Sequence, residues 1–205
     1  MARHESTQTM HIQRRGFLLA GLIGTAAAWA QPGSVVVEDQ RFAGRAMVAG
    51  RDLVLNGTGV RAVGWFKGYA AGLYLPAPAR SAAQVLAMAG PKRLQMRLLA
   101  EVPAAEFVKA VHRGVERNAE ADEMVRLAGR LRSFEASIAA AGTVRLGDVV
   151  DLDFDPARGL LFVVNGKLQG DPIPGDDFFA AVLRAFIGER PYDVRLRAGL
   201  LNRPG

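Results

Sequence analysis

Apolar residues recur along this chain in three kinds of pattern, and each predicts its own type of element. From Val35 to Leu75 they come in short runs rich in valine, leucine and aromatics: "VVVE", "DLVLNG" and "GVRAVGWFKGYAAGLYLP". Such runs predict strands, and "NGTG" (Asn56 to Gly59) predicts a hairpin turn between two of them. Pro76 and Pro78 end the last run, because proline cannot donate to a ladder. "SAAQVLAMAG" predicts a short helix with Ser81 as its N-cap and Gly90 closing it. In "KRLQMRLLAE" the alternation of Leu94, Met96 and Leu98 with Arg93, Gln95 and Arg97 predicts a strand with one buried face.

Helical spacing follows. Pro103 fits a first turn, and Phe107, Val111, Gly114 and Val115 share a face, with His112, Arg113 and Glu116 towards the other side. A second helix, about 121–139, repeats the pattern through Met124, Leu127, Leu131, Phe134 and Ile138. "DVVDLDFDPARGLLFVVNGK" returns to strands around a turn at Pro156 to Gly159. "PGDDFFAAVLRAFIGERP" is a helix that Asp176 can cap, ended by Gly188 and kept from resuming by Pro191. Strands, helices, strands and a helix in that order predict an α+β domain: an antiparallel sheet with helices layered on one face.

The run from Gly59 to Pro76 poses a chemical question, because it reads as a buried strand yet holds Arg61 and Lys67. Taken as one unbroken strand, it puts Arg61, Val63, Trp65, Lys67, Tyr69, Ala71 and Leu73 on one face. The other face is rich in glycine and open to close packing. The two cations are either solvated on an outer face or, in Arg61's case, set with Tyr69 in a pocket beneath the helices. An arginine fork suits a carboxylate, and a tyrosine adds a donor. Strand parity alone leaves both readings open.

The first 30 residues change the picture of the chain's length. Arg14 and Arg15 precede "GFLLAG", an apolar run follows, and "AWA" (Ala28 to Ala30) supplies small residues for cleavage. This pattern predicts a secretory leader of the twin-arginine type. Only about 14 residues separate Arg15 from Ala30, against roughly 20 for a span, and no later stretch is long and uncharged enough for one. The expected organisation is a leader over 1–30 and one domain over 31–205, working in a bacterial periplasm with no stable membrane span after processing. Without the leader, 23 basic residues face 19 acidic ones. They are scattered, with no basic stripe, so nucleic acid is not an expected partner. The chain has no cysteine, which excludes thiol catalysis and zinc–thiolate sites. One histidine after the leader, His112, argues against a zinc centre. No G-x-S-x-G or phosphate-binding glycine motif is present, and no cofactor or metal is expected.

"LNGTGVR…WFKGYAAGLYL", together with "AVLRAFIGERP" near the end, resembles the chalcone isomerase family, and most closely its bacterial chalcone-isomerase-like branch. The similarity covers about Val48 to Leu201. It implies an antiparallel sheet covered by helices, with a ligand cleft between the layers. The family includes non-catalytic members that bind fatty acids, where an arginine and a tyrosine meet the carboxylate. Arg61 matches the arginine of the plant enzymes' G-x-G-x-R, which polarises their substrate, and is the catalytic candidate if this chain is an enzyme. Tyr69 stands where those enzymes have a threonine, and this chain is about four residues shorter between the two positions. Phe107 and Gly114 stand for the enzymes' tyrosine and asparagine, and Phe179 and Ala180 for their Thr or Ser pair.

The resemblance therefore implies a binder of a small hydrophobic carboxylate such as a fatty acid. Arg61 is its anion anchor, Tyr69 lies beside it, and Lys67 stands at the rim. Phe107, Val111 and Phe179 are the expected apolar lining, although for these three and Phe178 a place in the core is the default. His112 is expected at the surface. The alternatives are an isomerase or intramolecular lyase on an unknown substrate, and a structural protein with a vestigial cleft. The leader reading carries its own test. Intact mass of periplasmic protein should correspond to a chain beginning at Gln31, and Arg14→Lys with Arg15→Lys should block export. A periplasmic species retaining residues 1–30 would refute cleavage.

Overall fold

A computed structural model describes Met1 and residues 33–202 of the chain; the expected leader and its cleavage site lie outside those residues. The domain is a seven-stranded antiparallel meander, β3-β4-β5-β6-β7-β8-β9, with a two-stranded β1–β2 hairpin beside it. The strands are β1 (Val35–Val37), β2 (Gln40–Phe42), β3 (Arg45–Val48), β4 (Arg51–Val63), β5 (Phe66–Leu75), β6 (Lys92–Leu98), β7 (Val149–Asp155), β8 (Gly159–Val164) and β9 (Lys167–Leu168). The helices are α1 (Ala82–Ala87), α2 (Ala104–Asn118), α3 (Ala121–Ala141), α4 (Asp176–Ile187) and α5 (Val194–Leu200). The α+β layering expected from the sequence is the layering observed. Among the described residues, no helix is long and apolar enough to cross a membrane.

The helical face of the sheet holds the main core. Leu73 and Leu75 of β5, Leu94 and Met96 of β6, Val150 and Leu152 of β7 and Leu160 and Phe162 of β8 are buried there. Phe134 of α3 meets Phe162 and Phe178 edge-on, with ring centres 5.8 and 6.0 Å apart. Such pairs add about 0.5–1.5 kcal/mol beyond area burial. The N-caps differ in kind. Ser81 accepts from the Gln84 N–H as expected, whereas α4 begins at Asp176 behind Gly175, with no side-chain cap.

Two expectations meet a different structure. "NGTG" is no turn: β4 runs straight through it, and the hairpin turn lies at Gly64–Trp65 instead. The glycines are needed because α5, absent from the sequence-based expectation, lies against the strand backbone. A side-chain carbon at Gly57 would collide with the Gly199 carbonyl, and one at Gly59 would stand 3.0 Å from the Leu196 carbonyl oxygen. Asn56, bulged out of the register, is buried; it donates to the Leu200 carbonyl at 2.7 Å and accepts from Ala79 N–H at 2.7 Å.

The second difference concerns β6. Its polar side is not solvent-facing, because the sheet curls until β3 contacts β7. Inside that curl, Gln95 donates to Asp151 at 2.8 Å, and Arg93 holds Asp153 through two bonds of 2.6 Å. Burial pushes the Asp151 carboxyl above its ordinary range, against the pull of Arg93 and Gln95. The close packing expected of the glycine-rich face is found at Gly72, where buried Phe42 of β2 approaches: a side-chain carbon there would stand 2.7 Å from its ring.

The α5–β4 contact is testable. Gly57→Ala should destabilise the fold by about 1–3 kcal/mol, as overpacking does. Gly129→Ala, at an α3 site with open space around it, should instead gain roughly 0.5–1 kcal/mol. Urea melts of the two variants read this directly, and equal midpoints would remove the argument for close packing.

Candidate functional site

The β4–β5 hairpin builds the site. Gly64 takes a left-handed φ of +59° at the first position of a two-residue loop, which suits the II′-type turn between twisted strands. The register then sets Arg61 directly opposite Tyr69. Facing residues in an antiparallel pair share a face, and Tyr69 packs on the helical side. One residue further on, the register shifts and Ala62 faces Lys67, leaving Gly68 as a bulge. Lys67 is thereby turned to the opposite face, where its Nζ holds Glu38 at 2.7 and 2.8 Å in the open. Unbroken-strand parity fails at the turn and the bulge together, so the two cations part company.

Arg61 and Tyr69 stand at the polar end of an apolar cavity of about 200 Å³. Met96, Leu98 and Val150 form its floor on the sheet, and Glu106, Phe107 and Ala110 of α2 form its roof. Val102 and Val144, bridged to one another, and Phe66 complete its lining. The Tyr69 hydroxyl bonds to no described residue. Burial pushes its pKa up, against the pull of Arg61 and with a further push from Asp193, so it stays protonated and able to donate.

Arg61 is part-buried and uses one nitrogen. Its Nη1 donates to the Ala62 carbonyl at 3.0 Å and to Asp193 Oδ2 at 3.3 Å. Its Nε and Nη2 edge donates to no described residue. Asp193 caps α5, accepting the Arg195 and Leu196 N–H groups at 2.8 and 3.1 Å. Burial pushes its carboxyl up, but the Leu196, Arg195 and Ala62 N–H groups and the Arg61 charge outweigh that, and the pKa lies below the ordinary range.

Tyr192 completes this end. Its hydroxyl donates to the Ala110 carbonyl, and its ring stands edge-on to Phe186 at 5.1 Å. It occupies the space that Gly114 leaves, since a side-chain carbon there would meet its hydroxyl. Asn118, at the end of α2, fixes the approach by bonding both the Arg190 carbonyl (2.9 Å) and the Arg190 N–H (3.1 Å).

Of the expected site residues, Arg61, Tyr69 and Phe107 line this cavity. Val111 does not; it is 1% exposed in the core. Phe179 stacks on Phe154 with centres 4.9 Å apart, and with Ala180 it lines a larger hollow of about 680 Å³. That hollow lies at the opposite end of the strands, beside the β7–β8 turn, because α4 begins there. It contains neither Arg61 nor Tyr69, and the smaller cavity better joins an apolar wall to convergent donors. His112 is exposed on α2, 2.7 Å from Glu135 of α3. Among the described residues, no group of three His, Cys, Asp or Glu side chains is placed to hold a metal. Sequence reasoning missed Glu106, Met96, Tyr192 and Asp193. For the last, the available signal was Asp193 ahead of "VRL", an N-cap before a short apolar period.

The Asp193 carboxyl gives a pH dependence of known sign. A carboxyl depressed in the fold stabilises it above the unfolded value, and that contribution fades as pH falls below about 4. Asp193→Asn keeps a capping side chain but loses the charge. The variant should be less stable than the parent at pH 6, with the gap narrowing at pH 3.5. A gap that stays constant in urea melts would show that the charge contributes nothing.

Comparison with known proteins follows the same lines. No curated protein matches the chain. Among solved structures, the crystal structure of a fatty-acid binding protein from Arabidopsis thaliana matches with a TM-score of 0.62 at 17% identity. The match covers 83% of this chain and 96% of that one. At that identity, the likeness establishes the fold. The chalcone isomerase-like family model matches residues 34–202, a span that takes in the whole sheet, Arg61, Tyr69 and Asp193, and the chain belongs to that family.

Proposed function

We propose that the protein binds a small hydrophobic carboxylate of the fatty-acid type, its chain in the cavity beneath α2 and its head at Arg61 and Tyr69. The observation that carries this reading is the division of the cavity. Most of its lining is apolar, and at one end stand a protonated tyrosine hydroxyl and an arginine edge, neither bonded to a described residue, while the one carboxylate of the lining, Glu106, is held by Lys109. An Nε and Nη2 fork takes a carboxylate through two parallel bonds, while Nη1 stays with Asp193. The Arabidopsis structure of the same fold is that of a fatty-acid binding protein, which supports the ligand class. The leader-like first 30 residues support a place in the bacterial periplasm, within the bacterial branch of the family.

The cavity also bears on chain length. Its 200 Å³ equals the liquid share of about seven waters at roughly 30 Å³ each, and a methylene is of comparable size. About seven methylenes at ~0.8 kcal/mol each contribute roughly 5–6 kcal/mol before ordering costs. The charge-assisted head contact adds about 1.5–3 kcal/mol. Affinity for straight-chain acids should therefore rise to about eight carbons and then level off. Arg61→Ala should weaken the acids by more than about tenfold and leave the matching alcohols nearly unchanged. Calorimetry across the series checks both, and equal losses for acids and alcohols would show that Arg61 is not the anchor.

A further inference from the structure

A second hollow adjoins the polar end of the cavity through shared lining residues. Arg61, Glu106 and Ala110 belong to both, and the rest of the second hollow, about 180 Å³, is lined by Lys109, Arg113, Arg117 and Tyr192. Lys109, Arg113 and Arg117 stand four residues apart on α2 and form one row along the helix. Like charges at that spacing destabilise a helix, a cost that Glu106 and the place of Arg117 in the last turn offset in part. Glu106 holds Lys109 at 2.7 Å, and Asp193 shares Arg61. The Arg113 and Arg117 guanidinium groups make no hydrogen bond or ion pair with any described residue. Four cations thus surround a hollow with a single carboxylate, and that carboxylate is already engaged.

A fatty acid uses one of these cations. Its head carries a single charge and two oxygens, which the free edge of Arg61 satisfies alone. Arg113 and Arg117 are left over, on the side of Arg61 away from the apolar cavity. A phosphate monoester differs in the two respects that matter. It carries about −1.5 to −2 charge at neutral pH and three strong acceptor oxygens, enough for more than one guanidinium. It is also large enough to lie across the junction of the two hollows.

We propose that the preferred ligand of this site is an alkyl or acyl chain ending in a phosphate monoester. The chain occupies the apolar cavity, and the phosphate lies among Arg61, Arg113 and Arg117. The inference rests on the reading that the cavity takes an alkyl chain, and it adds the chemistry of the head. The Tyr192 hydroxyl, fixed on the Ala110 carbonyl, forms one wall of the head-group hollow and sets its depth.

Calorimetry with octyl phosphate, octanoate, octanol and inorganic phosphate tests it on the purified protein and on the Arg113→Gln/Arg117→Gln variant. Both positions are exposed, so the variant should fold, and circular dichroism verifies that it does. Octyl phosphate should bind at least about tenfold more tightly than octanoate, the worth of one further charge-assisted contact. The double variant should erase that difference while leaving octanoate unchanged, and added salt should weaken octyl phosphate more than octanoate. Equal affinity for octyl phosphate and octanoate, or no loss in the double variant, would overturn the head-group assignment and leave the carboxylate reading standing. Inorganic phosphate binding as tightly as octyl phosphate would overturn it differently, making the hollow a phosphate site independent of the chain. If octanoate, octanol and octyl phosphate all fail to bind, the cavity takes no alkyl chain, and both readings fall.

Discussion

Helix α5 lies on the backbone of β4, and much of the site depends on that contact. Gly57, Gly59 and Gly199 make it possible by removing the side chains that would hold helix and strand apart. Once α5 is seated, its N-cap, Asp193, arrives at the end of β4 beside Arg61 and accepts from the Ala62 N–H. The segment leading into α5 must then pass along α2, where Asn118 clamps Arg190 and Gly114 makes room for Tyr192. A glycine-bearing strand, a cap and a clamp together bring Tyr192 and Asp193 to Arg61, more than 130 residues away in sequence, at one end of the cavity. The sheet register places Arg61, but it would position neither Tyr192 nor Asp193.

The second constraint is electrostatic. Arg61 is part-buried, and taking a charge partly out of water has a cost that a partner lowers. Asp193 meets that need on one nitrogen at 3.3 Å, a distance that leaves the pair loose. The remaining edge of the guanidinium is then available to an incoming anion without a wholesale exchange of partners. The Gly68 bulge serves the same end by removing Lys67 to the other face, where Glu38 neutralises it. The cavity thus keeps one oriented cation, and the additional positive charge is displaced outward onto α2.

Periodicity made most of the fold legible. The faces of α2, α3 and α4 could be read because their apolar residues repeat at helical spacing, and β6 and β7 because theirs alternate. What periodicity cannot reveal is where a glycine is needed for another backbone. "NGTG" has the composition of a turn, and only the presence of α5 tells it apart. Nor can alternation distinguish water from the inside of a curled sheet, which is why Gln95, Asp151 and Asp153 look solvent-facing in sequence and are buried in the fold. Arg61 and Tyr69 came together through the motif they share with the family, although a hairpin pairs them instead of a single strand. Phe179 and Val111 were apolar and on the right helices, but a helix carries no mark of which end of a sheet it covers.

The same residues bear on what kind of chemistry the site supports. Catalysis requires contacts that strengthen in the transition state and, for proton transfer, a group that titrates near the working pH. Burial has moved Tyr69 and Tyr192 upward, away from the role of a base. Tyr192 is further committed to the Ala110 carbonyl, and Glu106 to Lys109. Gly114 admits the Tyr192 ring, so the α2 face there offers a fixed wall and no side chain to orient a reactant. Arg61 could still stabilise a developing negative charge, but Asp193 already offsets part of its own. An arginine tempered in this way suits a ligand that arrives with its charge formed and keeps it.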